Sequence, residues 1–189
     1  MEESGGGGST LAMVVKLRMK SIHAKSHLLF LCLVGLNGAI PLHIADPTDG
    51  FAPVPLTDWN FKGLDYLSGV WQLEGHAFVP NGTSRAIIVQ IHGGEQHATT
   101  LILRINEGDV HYYLRDLVVV DVYDRWFRVN IIHEMDEETE MVFFDGVQKL
   151  VTEDCGPGDL FFKCGVYAAP PNVSYYLESR WRDIKIYKK

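Results

Sequence analysis

The chain has 189 residues, of which 47% are hydrophobic and 22% charged, and its formal net charge is −7. That is about one globular domain, with enough apolar residues for a core. The acidic balance argues against nucleic acid and anionic membrane surfaces as partners, so any anion site has to be a local positive pocket.

Residues 1–45 read as a leader and secretory signal peptide. Glu2 to Thr10 is Gly/Ser-rich and cannot form a core. Lys16, Arg18, Lys20 and Lys25 then precede the apolar run Leu28 to Leu36, which is the pattern of a signal and is too short to span a bilayer. Translation from Met13 or Met19 would shorten the leader, and Ala39 and Ala45 are candidate cleavage points. Removal of 45 residues leaves 144, with 22 Asp/Glu and 13 Lys/Arg. The expected product enters the secretory pathway without a stable membrane anchor. Two sequons, at Asn81 and Asn172, fit that route as glycosylation sites. Loss of Cys32 leaves Cys155 and Cys164. The compartment permits a bridge, but Cys164 falls on the apolar face of a strand, which favours a free, buried thiol.

Residues 46–65 form an extended lead-in, with Pro, Asp and Gly concentrated between Asp46 and Pro55. From residue 66 the chain is a succession of strands. Val70 to Val79 ends at the turn Pro80-Asn81-Gly82, and Ala86 to His92 is bounded by Gly93-Gly94. Thr99 to Ile105 turns at Asn106-Glu107-Gly108-Asp109 into Val110 to Leu114, and Leu117 to Val122 follows. Trp126 to His133 runs through an acidic tip, Glu134 to Glu138, into Glu140 to Phe144. Asp145-Gly146 is a strong hairpin signal before Val147 to Val151. Phe161 to Tyr167, Tyr175 to Trp181 and Ile184 to Tyr187 close the chain. Sustained helical periodicity and repeats are absent, so the expected fold is an all-β antiparallel sandwich or barrel.

Two of these strands carry chemistry on one side. Alternation places Ile87, Val89 and Ile91 on one face and Gln90 and His92 on the other. In Phe161 to Tyr167 it places Phe162, Cys164 and Val166 behind, with Lys163 and Tyr167 in front. Singly, a strand His, Tyr or Lys is more often packing or solvated surface; paired on two strands, the four groups suggest a cleft for a carboxylate ligand. The same set suits β-elimination of a uronate chain. Gln90 would neutralise the carboxylate, His92 would take the C5 proton, and Tyr167 would act as acid, base or both. Lys163 would add positive potential. Neither zinc spacing nor a serine-nucleophile elbow occurs, so no metal or other cofactor is expected.

At these residues the chain resembles a known group. Gln90-Ile91-His92 and Phe162-Lys163-Cys164-Gly165-Val166-Tyr167 match two signature motifs of the alginate lyase type-two superfamily, polysaccharide lyase family seven. From about Tyr66 to Lys189 the chain is similar to the plant citrate-binding-protein-like members of that superfamily. The similarity includes Ser68-Gly69-Val70-Trp71-Gln72, Phe78 to Ser84, Tyr123 to Arg128 and Glu178 to Lys185. The resemblance implies a two-sheet β-jelly roll, an extracellular, cell-wall or vacuolar destination, and a small carboxylate or anionic glycan as partner. It makes His92 and Tyr167 the catalytic pair, and Gln90 and Lys163 ligand-binding.

One motif is missing. The family pattern includes a strand bearing Arg-x-Glu, but here Asn60-Phe61-Lys62 runs straight into Gly63-Leu64-Asp65, and no Arg occurs between Ile40 and Thr83. An internal deletion near Lys62-Gly63, with loss of an inner strand, is therefore expected, and it argues against full lyase activity. Arg104 and Arg128 are the candidate replacements for the lost arginine. Three outcomes follow: a carboxylate-binding protein, a uronate lyase, or a truncated product without function.

Overall fold

The computed structural model describes residues 13–18, 46–56, 65–93, 99–167 and 176–189. The apolar run Leu28 to Leu36, expected to be a signal, the Lys62-Gly63 junction and Asn172 lie outside them. The described residues form twelve strands and no helix: β1 (Met13–Arg18), β2 (Ala52–Val54), β3 (Val70–Phe78), β4 (Ala86–His92), β5 (Thr99–Asn106), β6 (Asp109–Tyr112), β7 (Asp116–Val119), β8 (Trp126–Glu134), β9 (Thr139–Phe144), β10 (Val147–Glu153), β11 (Phe161–Tyr167) and β12 (Tyr176–Lys188).

They build two antiparallel sheets. The seven-stranded sheet runs β1-β12-β3-β8-β9-β10, with β2 also on β12, and the five-stranded sheet runs β11-β4-β5-β6-β7. The jelly-roll expectation holds. The strand β1 lies within the expected leader and pairs with β12 from Met13↔Trp181 to Arg18↔Tyr176. The last two expected strands are a single one, β12, broken in register between Arg182 and Lys185 against β3.

Alternation explains the layering. Phe127, Val129 and Ile131 of β8, Val142 and Phe144 of β9, and Leu101, Leu103 and Ile105 of β5 meet in one core with Leu73, Ala77 and Trp181. Period-two side chains from two facing sheets give such a layer. Tight turns set the registers. Glu107 and Gly108 take φ of 51° and 97°, and Asp145 and Gly146 take 49° and 80°. Both pairs have the double left-handed geometry of a two-residue hairpin turn.

The expected face of β4 needs correction. Ile87 pairs with Arg104, while Val89 pairs with Leu103, so Ile88 is an extra residue in β4. Ile88, Val89 and Ile91 all enter the core, and Ile87 does not join them. A bulge of one residue flips the alternation beyond it.

Candidate functional site

Strand register assembles the polar face of the five-stranded sheet. Phe161 stands opposite His92, Lys163 opposite Gln90, and Tyr167 opposite Ile87. Across the next ladder Gln90 meets Ile102 and Ile87 meets Arg104. Arg104 in turn meets His111. Because Val89, Ile91, Leu101, Leu103 and Val110 fill the core, alternation puts Gln90, His92, Ile102, Arg104, His111 and Lys163 on the outer face. Diagonal neighbours in such a lattice, Gln90 and Arg104 among them, have Cα atoms about 7–8 Å apart. The strands β4, β5 and β11 contain no Asp or Glu, in a chain with 24. This face is therefore locally positive on an acidic protein.

The strand β11 carries its own device. Cys164 pairs with Val89 and Tyr167 with Ile87, so two residues of β11 oppose the single Ile88. At this bulge Gly165 has φ of 149°, and a Cβ there would lie 3.0 Å from the Tyr167 hydroxyl. Glycine is thus required twice, for its backbone angle and for the space it leaves. Into that space the Tyr167 ring folds back, and its hydroxyl donates to the Cys164 carbonyl at 2.7 Å. The Lys163 ammonium sits 4.9 Å from the ring centroid. Burial, with the Cys164 thiol beside it, pushes the Tyr167 pKa up to about 12. At neutral pH the hydroxyl holds its proton and is an acid rather than a base. From the opposite sheet, buried Ser179 donates to the Gly165 carbonyl at 2.7 Å and accepts from the Trp181 indole at 3.2 Å. The bulge is therefore pinned through the core.

His92 ends β4 half-buried, its ring stacked on Phe161 with centroids 5.3 Å apart. Nδ1 lies 3.0 Å from the Gly93 carbonyl, which can only accept. The network therefore assigns the proton to Nδ1 and leaves Nε2 with a lone pair in the neutral ring. Gln90 is 6% exposed, so its amide is nearly desolvated beside Lys163.

Arg128 is not brought to this face. It lies on β8 in the other sheet, where Nε donates to Glu74 at 2.9 Å and Nη2 to Asp46 at 2.7 Å. Asn130 and Lys185 also donate to Glu74, each at 3.1 Å, and Tyr187 donates at 3.2 Å. Hydrogen bonding to Asp46 holds Arg128 far above its usual pKa, against the effect of burial. An arginine so engaged stabilises its own sheet and cannot grip a ligand across the core. Arg104 is on the correct face. Asn81 is exposed in its turn, while the Thr83 hydroxyl of the same sequon is buried and accepts from the Glu178 amide at 3.0 Å. Cys155 and Cys164 are both free. Burial pushes the Cys164 thiol up to about 12, as expected for a thiol packed against the core.

Two histidines that show no ligand spacing in the sequence take defined places in the fold. His111 is the cross-strand partner of Arg104. The signal for it was the Glu107-Gly108 turn, which fixes which residues of β5 and β6 face each other. His133 is fully buried, with Nε2 at 2.8 Å from Asp154 and Nδ1 at 3.1 Å from the Tyr66 hydroxyl. Burial lowers its pKa, so the ring is neutral, donating from Nε2 to Asp154 and accepting from Tyr66. Cross-strand from it, Glu140 is completely buried. Among the described residues no cluster of His, Cys, Asp and Glu has the arrangement of a metal site.

A family model described as alginate lyase matches residues 54–188. The chain belongs to that family. It is 40% identical over 190 aligned positions to the citrate-binding protein of Hevea brasiliensis, covering 76% of this chain and 80% of that one. Since 76% of 189 residues is about 144, about 46 aligned positions hold a residue in the relative and none here. Over the aligned span this chain is therefore shorter than that relative. Among solved structures, an alginate lyase of family 7 in complex with its product superposes with a TM-score of 0.56 at 9% identity, covering 77% of this chain and 75% of that one. The alginate lyase of Corynebacterium sp. gives 0.52 at 15% identity, covering 65% and 60%. That of Zobellia galactanivorans gives 0.52 at 13% identity, covering 66% and 65%. At these identities the likeness establishes the jelly-roll fold. The chain spans less than two thirds of the length of the latter two enzymes.

Proposed function

We propose that this protein binds a carboxylate-bearing ligand, a small polycarboxylate or a uronate glycan, on the outer face of the five-stranded sheet. The observation that carries this reading is the run of three adjacent strands without an acid, on which Lys163, Gln90 and Arg104 occupy neighbouring lattice positions. Lys163 supplies charge, Gln90 a nearly desolvated amide donor, and Arg104 the planar fork that the missing Arg-x-Glu strand would otherwise provide. The relative named for citrate and the solved lyase bound to its product both favour a ligand of this class. The signal-like leader and exposed Asn81 favour the secretory route, ending outside the cell, in the wall or in the vacuole.

The test is a thermal melt with and without citrate or a uronate trisaccharide, since binding to the native state raises the melting temperature. A rise that Gln90→Leu abolishes, with the fold intact, supports the reading. Failure of both ligands to shift the melt refutes it.

A second reading, uronate cleavage by β-elimination, is favoured by one observation: His92 presents Nε2 as a base while Tyr167 keeps a proton to give. Release of unsaturated uronate ends, followed by the absorbance of the new double bond, would establish it. Activity that survives both His92→Ala and Tyr167→Phe would remove the assigned roles.

A further inference from the structure

We infer that Arg104, His111 and Arg85 form a second anion subsite on this face, which takes a further carboxylate of the ligand. The inference rests on the reading that the outer face of the five-stranded sheet binds a carboxylate ligand, and it extends that site two strands beyond Lys163.

Arg104 and His111 are directly opposite on β5 and β6. Each carries a buried nitrogen with no partner among the described residues, Nε of Arg104 and Nδ1 of His111. Arg85, immediately before β4, is exposed and held at φ of 58°, a left-handed angle uncommon for a residue with a side chain. Its charge is felt at Arg104, and burial together with that like charge disfavours the Arg104 cation. Elsewhere the protein answers its arginines: Arg125, Arg128, Arg180 and Arg182 each meet an Asp or Glu. Arg115 is exposed in a turn and left to water. Arg104 has neither answer. It is partly buried, and among the described residues no carboxylate pairs with it or with Arg85.

The unmet nitrogens of Arg104 and His111, beside the like charge of Arg85, cost stability unless an anion answers them. A carboxylate placed between them would accept from Arg104 and His111 and relieve the Arg85–Arg104 repulsion. Lattice spacing separates this point from Lys163 by two strands, about 10 Å at 4.7–4.9 Å per strand. One carboxylate cannot satisfy both points. The ligand must therefore carry at least two, as a small polycarboxylate does within one molecule and a uronate chain does on successive sugars.

The test is calorimetric titration of the full chain and its Arg104→Gln, His111→Gln, Arg85→Gln and Gln90→Leu variants with citrate and with a uronate trisaccharide. Far-ultraviolet circular dichroism would verify the fold of each. Loss of a charge-assisted hydrogen bond weakens binding about ten-fold or more, which is the effect expected for Arg104→Gln and for His111→Gln. Arg85→Gln should weaken it less, with the difference shrinking at high salt. The ligand on which these losses fall identifies the source of the carboxylate. Wild-type affinity in both Arg104→Gln and His111→Gln, with Gln90→Leu impaired, overturns the subsite together with the role given to Arg104, and leaves carboxylate binding at Lys163 and Gln90 standing. The reverse pattern keeps the subsite and overturns the role of Gln90. If Arg104→Gln does not fold, nuclear magnetic resonance of the His111 ring in wild-type protein decides the matter: either ligand should shift it, and an unmoved ring overturns the proposal.

Discussion

Replacing Glu140 by Gln should remove most of the loss of stability that this protein suffers between acid and mildly alkaline pH. Glu140 sits on the inward side of β9 with 0% exposure, and among the described residues neither carboxyl oxygen has a hydrogen bond of good geometry, a marginal one from Thr100 being the nearest to it. Burial pushes its pKa from 4.5 up to about 8, with the Asp154 charge adding to the shift and Thr100 opposing it. Below 4.5 both folded and unfolded chains hold this proton. Between 4.5 and about 8 the folded state alone holds it, so rising pH favours unfolding by about 1.4 kcal/mol per pH unit, or about 5 kcal/mol across the window. Neighbouring His133 acts in the opposite sense. Its folded pKa lies below 6.5, so it destabilises the protein as pH falls through that value. Urea unfolding of wild type and Glu140→Gln at pH 5, 6, 7 and 8 separates the two, because His133 contributes equally to both proteins. The stability gap should move in favour of the variant by about 1 kcal/mol or more per pH unit. Any constant offset from burying the amide leaves that slope unchanged. Parallel profiles from pH 5 to 8 would show that Glu140 is ionised in the fold, and the account of its burial would be wrong.

Gly165→Ala should destabilise the protein by about 1–3 kcal/mol through its backbone angle and displace the Tyr167 ring. Chemical denaturation of this variant beside Gly165→Ala/Tyr167→Phe checks both effects, since loss of the hydroxyl should relieve the closest part of the steric conflict and none of the backbone cost. Ser179→Ala leaves the Trp181 indole without its acceptor and the Gly165 carbonyl without its donor, a cost of about 1–3 kcal/mol by urea melt. It should also lower affinity for any ligand that touches Tyr167. Arg128→Met strips Glu74 and Asp46 of their shared cation and should cost about 2–4 kcal/mol, less than a wholly unpaired buried charge because Lys185 remains. Ligand affinity should be unchanged, and a ten-fold loss would return Arg128 to the list of ligand contacts.

Local pattern made the sheet legible in the sequence, and register made part of the site illegible. Alternation along Trp126 to His133 gives the inward set Phe127, Val129 and Ile131 without any knowledge of the partner strands. The Asp145-Gly146 and Glu107-Gly108 turns are readable as hairpins, and the second already implies Arg104 opposite His111. Bulges are different. Nothing in Ala86-Ile87-Ile88-Val89 says that Ile88 is the surplus residue, because four apolar side chains satisfy either phase of the alternation. The bulge in β11 does leave a trace, since Gly165 is the residue such a kink needs, but a glycine in a strand has several explanations. Arg128 was misplaced for a topological reason. A strand pattern says that it points away from the core, and which sheet it then leaves from depends on long-range pairing that no local window contains.

The same distinction separates structural charge from charge held for a ligand. Glu74 and Arg128 illustrate the first kind. Glu74 accepts from Arg128, Asn130, Lys185 and Tyr187, and Asp46 closes the other side of the guanidinium. Such a network gains little from a further anion, because its cations are already neutralised and their hydrogen bonds spent. The outer face of the five-stranded sheet is balanced differently. Among the described residues Lys163 rests on the faces of Phe161 and Tyr167 rather than on an acid, at 5.8 and 4.9 Å from the ring centroids. An aromatic face attracts a cation only weakly compared with a carboxylate, so under the proposed function a carboxylate would compete for the ammonium. Among the described residues, therefore, the cations on β11 and β5 lack the carboxylate partners that Arg128 has, and Gln90 beside them is nearly buried, which is why the proposed ligand is placed on that face and not on the one around Glu74.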